Sequence, residues 1–157
     1  MDTGGVQIRG KHDDLTEKII GVFYDVYKEL GSGFLESVYR EAMRIALVQA
    51  GLQAECEVAI AVFFRGNKIG TFRADLVVNG VVLVELKACE TLIREHMSQT
   101  LNYLKATEIE VALLMNFGTV PRFRRLVMDN EEKGNQPESV PVGVIGVRSL
   151  SEVEVAR

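Results

Sequence analysis

The chain has 157 residues, 47% of them apolar and 25% charged, with a formal net charge of −4. That length carries one well-cored domain rather than two, and no apolar run approaches the roughly 18 residues of a membrane span. The start, Met1 to Lys11, lacks the basic-then-apolar pattern of a secretory signal, so a soluble cytoplasmic protein is expected. The negative balance argues against a broadly basic surface. Six of the 22 acids but only three of the 18 bases fall in 129–157, leaving 16 acids against 15 bases in 1–128. A nearly neutral body leaves room for a basic groove.

From Asp14 to Leu30 the apolar residues Leu15, Ile19, Val22, Phe23, Val26, Tyr27 and Leu30 recur at three- and four-residue steps, which predicts an amphipathic helix. Asp14 with Glu17 resembles a capping-box start. Gly31-Ser-Gly33 breaks the pattern, and a second helix is expected from about Leu35 to Ala50, stopped by Gly51. Composition then turns to β: a strand Cys56 to Phe64, a turn over Arg65-Gly-Asn-Lys68, a strand Ile69 to Val78, the turn Asn79-Gly80, and a strand Val81 to Ala88. Three consecutive strands of this kind form an antiparallel meander. A third helix is expected over Thr91 to Thr107, then an apolar strand Glu110 to Phe117 and a short strand around Phe123 to Met128. Cys56 and Cys89 sit in apolar contexts that suit buried free thiols.

This order predicts an α+β fold, a mixed sheet with helices packed on it. One domain is expected over 1–128. Residues 129–157 read as a polar linker whose apolar end, Val140 to Val147, is compatible with one more edge strand, and not as a separate domain.

The chemistry concentrates in Arg73-Ala-Asp75-Leu-Val-Val-Asn79-Gly80-Val-Val-Leu-Val-Glu85-Leu-Lys87, an apolar hairpin interrupted by an Asp, a Glu and a Lys. An unpaired charge in such a run costs several kcal/mol, a cost that a cation shared by the acids would remove. Glu85 and Lys87 project to one face, about 6.5 Å apart. A strict two-residue turn at Asn79-Gly80 would pair Asp75 with Val84 and send the two acids to opposite faces. A shared site therefore demands a register moved by one residue, through an odd-length loop or a bulge. The bland alternative is an edge-strand charge pair, Glu85 with Lys87, and a solvated Asp75 near the turn.

Taken together, Asp75, Glu85-Leu-Lys87, the upstream Glu36 and the downstream Gln99-Thr-Leu-Asn-Tyr103 resemble the PD-(D/E)XK nuclease superfamily. Gly33-Phe-Leu-Glu36-Ser-Val-Tyr39 resembles the signature of the GxxExxY proteins, a branch of it, and the similarity runs from about Leu15 to Val127. The resemblance implies a restriction-endonuclease-like core and phosphodiester hydrolysis in DNA or RNA. It implies Asp75 and Glu85 as Mg²⁺ or Mn²⁺ ligands, with the Leu86 backbone carbonyl as a third contact and Glu36 as an accessory ligand. By the same resemblance Lys87 orients the attacking water and stabilises transition-state charge, and Gln99 and Tyr103 brace the site and contact the substrate backbone.

Each role has a plainer counterpart. Glu36 suits a helix N-terminus through the macrodipole, Tyr39 suits the core, and Tyr103 suits a core aromatic with a polar tip. His96 is either a neighbour of the site or an ordinary surface histidine. Arg73, Lys105 and the cluster Arg122-Phe-Arg124-Arg125 supply phosphate contacts if they ring one cleft. The competing functional class is a non-catalytic nucleic-acid-binding or protein-interaction module on the same fold. So small a module would need a second copy, as a homodimer, or another partner to hold a long duplex.

Overall fold

A computed structural model of the chain describes residues 10–133. Helix α1 spans Asp13–Leu30 and buries the stripe Ile19, Val22, Phe23 and Val26. The capping box at Asp14 does not form: His12 holds the N-cap in a left-handed conformation with no side-chain cap. Asp13 and Asp14 instead lie in the first turn, where their charge meets the exposed N–H groups. Helix α2, Glu36–Gln49, buries Tyr39, Met43 and Leu47, and Gly51 at φ 85° ends it.

The strands follow as β1 Ala54–Phe64, β2 Asn67–Val78 and β3 Val82–Lys87, then helix α3 Arg94–Lys105, β4 Val111–Phe117 and β5 Pro121–Val127. A 3-10 turn over Asn130–Lys133 closes the described chain, and the expected edge strand at 140–147 lies outside it. Helix α3 is shorter than its periodicity suggests. Ile93 is extended, and its N–H donates to His96 Nδ1 at 3.1 Å, so the helix starts only at Arg94. His96 is thereby a helix cap.

The five strands form one sheet in the order β1-β2-β3-β4-β5. All neighbours are antiparallel except β3 and β4, which run parallel because α3 carries the chain across between them. The fold is α+β, with a mixed, mostly antiparallel sheet. Helices α1 and α2 cover one face over Leu76, Val78, Val82, Val84, Leu86, Leu113, Met115 and Phe117. Helix α3 covers the other over Val77, Leu83 and Ala112.

The β1–β2 pairing shifts register between Val62 and Phe63, and nearer the site the inward-facing parity itself changes. Ala54, Cys56, Leu76 and Val78 belong to the α1/α2 side, whereas Val58, Ile60 and Ala74 belong to the α3 side. The exchange happens at Glu57, which has φ 51° and drops out of the ladder between Cys56↔Leu76 and Val58↔Ala74. A left-handed residue inside a strand acts as a local twist that reverses which side chains face in. Asp75 stands opposite this point, where the sheet changes face.

Candidate active site

The β2–β3 connection decides whether the acids meet. It has three residues rather than two: Asn79 (φ 50°), Gly80 (φ 69°) and Val81, with the Val81 N–H donating to Val78 O. Asn79 is clamped to Gln53, accepting its N–H on Oδ1 at 2.8 Å and donating its own N–H to Gln53 O at 2.9 Å. The extra residue sets Val78 against Val82 and Leu76 against Val84, and continuing that register brings Asp75 opposite Glu85. This is the one-residue shift that a shared site requires.

Past Leu76↔Val84 the backbone ladder stops and the two acids take over its hydrogen bonds. The Asp75 N–H donates to Glu85 Oε1 at 2.9 Å, and the Leu86 N–H donates to Asp75 Oδ2 at 2.8 Å. Each carboxylate is thus held by the other's strand. Glu85 is only 4% exposed. Burial, and next the charge of Asp75, push its carboxyl up to about 8, with Lys87 opposing and Glu36 adding to the rise.

Helix α3 supplies the wall. Tyr103 is buried, its ring 5.0 Å from that of Phe72. Its hydroxyl is pushed up to about 12 by burial and then by the charges of Glu85 and Asp75, while a hydrogen bond with Gln99 pulls the other way. Glu85 therefore feels Asp75, Lys87 and Glu36, and Tyr103 feels Glu85, Asp75 and Gln99. Glu36 is exposed in the first turn of α2. Arg73 is exposed on β2 two residues before Asp75. Lys105 does not join the group: it is exposed, and two residues past Tyr103 it points to the other side of α3. Tyr39 does not reach toward Glu36 either. It stacks on Phe117 at 4.1 Å between centroids and donates its hydroxyl to Gly31 O at 2.6 Å, which pins the α1–α2 loop.

Two further residues belong to the site: Arg40, which no sequence pattern singles out, and Asn116, which lies in the stretch Asn116-Phe-Gly118 of the resemblance but has no role assigned from sequence. Arg40 Nη1 lies 3.1 Å from Asp75 Oδ1 and its Nη2 lies 3.2 Å from Glu57 Oε1, so a guanidinium already serves one carboxylate oxygen of Asp75. The available signal was its place one helical turn after Glu36, on the same face of α2. Asn116, buried in β4 beside Lys87, accepts the Cys89 N–H on Oδ1 at 3.0 Å and donates Nδ2 to Cys89 O at 2.9 Å. It fixes the chain just after Lys87.

Hard carboxylate and carbonyl oxygens at Asp75, Glu85 and Leu86 fit a small divalent cation such as Mg²⁺ or Mn²⁺, and two adjoining acids that repel each other would gain from one. Water would have to complete the shell, since among the described residues no group of three or more His, Cys, Asp or Glu side chains could hold a metal ion.

A family model of the PD-(D/E)XK nuclease superfamily matches residues 13–126, and the chain belongs to that superfamily. No curated protein and no solved structure matches it. Members of this class generally use divalent metal ions. Among the described residues no helix is long and apolar enough to cross a membrane.

Proposed function

We propose that this protein is a metal-dependent nuclease that hydrolyses phosphodiester bonds in DNA or RNA, and that it belongs to the GxxExxY branch of its superfamily. The reading is carried by the reciprocal pairing of Asp75 and Glu85 across β2 and β3, beside Lys87. Asp75, Glu85 and the Leu86 carbonyl would hold Mg²⁺ or Mn²⁺; Glu36 is not gathered with them into a three-acid metal group, and would assist from α2 only through water. The cation, when bound, supplies Lewis-acid activation of water and charge neutralisation at the phosphate.

The chain's own groups do the rest. Lys87 offers an ammonium that orients the attacking water and steadies negative charge building on the phosphoryl oxygens. Tyr103 stays protonated at neutral pH and donates rather than repels, with Gln99 setting its hydroxyl. Asn116 holds the backbone after Lys87 so that the ammonium keeps its place. Arg40 holds Asp75 from the α2 side.

The test is incubation with end-labelled single- and double-stranded DNA and RNA in Mn²⁺. Cleavage by the wild type that disappears in Lys87→Ala, with the melting temperature kept, supports hydrolysis at this site. Equal cleavage by both proteins assigns the activity elsewhere. A second reading, a non-catalytic binding module, is favoured by one observation: Arg40 already occupies Asp75 Oδ1. Calorimetric titration of wild type and Asp75→Ala with Mn²⁺ separates the two, because only the nuclease reading requires heat that depends on Asp75.

A further inference from the structure

Among the described residues α3 is the only α-helix on its face of the sheet, so it stands up as a ridge with two flanks. Gln99 and Tyr103 belong to the flank that meets Phe72, Asp75 and Glu85. Arg94, Leu101 and Lys105, at steps of seven and four, share the opposite flank. There Leu101 joins the same apolar cluster as Leu126, and α3 packs on β4 and β5. Helix α3 returns the chain from the end of β3 to the start of β4, and β5 runs antiparallel to β4, so α3 and β5 point the same way. Arg94 therefore lies alongside the Arg122 end of β5.

Strand β5 turns two arginines toward that flank. Leu114 pairs with Arg124 and Asn116 with Arg122, in the same alternation as Ala112 and Leu126 of the α3-side cluster. Arg94, Lys105, Arg122 and Arg124 are all exposed, and none has an acidic partner among the described residues. Of the acids in and after α3, Glu95 sits on the outward ridge with Ser98 and Asn102, and Glu108 lies past the helix end. The far flank of α3 is thus a strip of uncompensated cations, which suits a phosphodiester backbone.

The strip and the candidate site are separated by the helix itself. Lys87 and Arg122 lie in one row, two strands or about 10 Å apart. Asn116 lies between them, buried and closed over by the backbone of Cys89. A single chain touching both would have to climb over α3, whereas the two strands of a duplex can pass on either side of it. An α-helix with its side chains is about 10–12 Å across and the B-DNA major groove about 12 Å wide. The deep, narrow major groove of duplex RNA does not admit a helix.

Resting on the nuclease reading, we propose that the substrate is double-stranded DNA straddling α3. One strand carries the scissile phosphate at Lys87, and the backbone of the other is held by Arg94, Arg122, Arg124 and Lys105.

Fluorescence anisotropy with a labelled DNA duplex, an RNA duplex and the DNA single strand of matching sequence tests this, in EDTA so that hydrolysis cannot interfere. The wild type should bind the DNA duplex most tightly. Arg122→Gln with Arg124→Gln should weaken that binding about tenfold at low salt and reduce the slope of log K against log salt by about 1.8, two duplex phosphate contacts. Lys18→Gln with Lys28→Gln, an equal loss of charge from exposed positions of α1 across the sheet, should leave the slope unchanged. An unchanged slope in the arginine double variant, with its melting temperature kept, overturns the proposal, as does an equal loss in the α1 control. So does a preference for the single strand or the RNA duplex, or binding of none of the three. A wild type that binds the DNA duplex through the arginines yet cleaves nothing in Mn²⁺ defeats the nuclease reading and leaves the strip's hold on duplex DNA standing.

Discussion

Replacing Glu85 by glutamine should make the metal-free protein more stable at pH 8 while leaving it nearly unchanged at pH 5. Glu85 keeps its proton in the folded state up to about pH 8, because it is buried and faces Asp75, whereas in the unfolded chain it ionises near 4.5. Between those values the folded state binds the extra proton, so the unfolded state gains as pH rises and stability falls by up to about 1.4 kcal/mol per pH unit. Over the window the loss is on the order of 4 kcal/mol at most, reduced by whatever relaxation lets water reach the carboxylate. The glutamine side chain of Glu85→Gln cannot ionise, and its amide oxygen can still accept the Asp75 N–H that now reaches Glu85 Oε1. Urea unfolding of both proteins in EDTA from pH 5 to 8 should therefore show curves that diverge by about 2–4 kcal/mol toward pH 8. Mg²⁺ added to the wild type at pH 8 should recover part of its deficit. A constant difference between the two proteins across that range would refute the claim that Glu85 is held protonated beside a second acid.

Asn116→Ala leaves the Cys89 N–H and C=O without their partners and should cost about 2 kcal/mol in urea unfolding. It should also raise amide exchange in the segment after Lys87. Gly118→Ala would set a Cβ 2.4 Å from the Cys89 carbonyl oxygen and 3.1 Å from Asn116 Nδ2, so a loss of about 1–3 kcal/mol is expected, visible as a lower melting temperature. Arg40→Met removes the cation from Asp75 Oδ1 while keeping the side chain's apolar stem. It should tighten Mn²⁺ binding several-fold by calorimetry if Asp75 is a ligand, and an unchanged or weaker affinity would count against that role.

The element order was legible because each segment declares its period. The stripe Ile19, Val22, Phe23, Val26 can only be satisfied as a helix on a core, and the Val-rich run from Val82 to Leu86 only as a strand buried on both faces. The ends were less legible, since they depend on single hydrogen bonds. One bond, from Ile93 N–H to His96, delays the start of α3. The left-handed His12 moves the start of α1 away from the expected cap.

The sequence by itself determined which charged groups interrupt an apolar hairpin and that Glu85 and Lys87 share a face, because alternation along one strand is local. It also defined the condition for a shared site, a register moved by one residue. Only the tertiary structure decided that the condition is met, through a three-residue turn whose Asn79 is clamped by Gln53, the residue that leads into the neighbouring strand β1. The same holds for the change of face at Glu57, for Arg40 on Asp75, and for the turning away of Lys105. Each of these depends on how separate elements meet, and periodicity within one element carries no record of its neighbours.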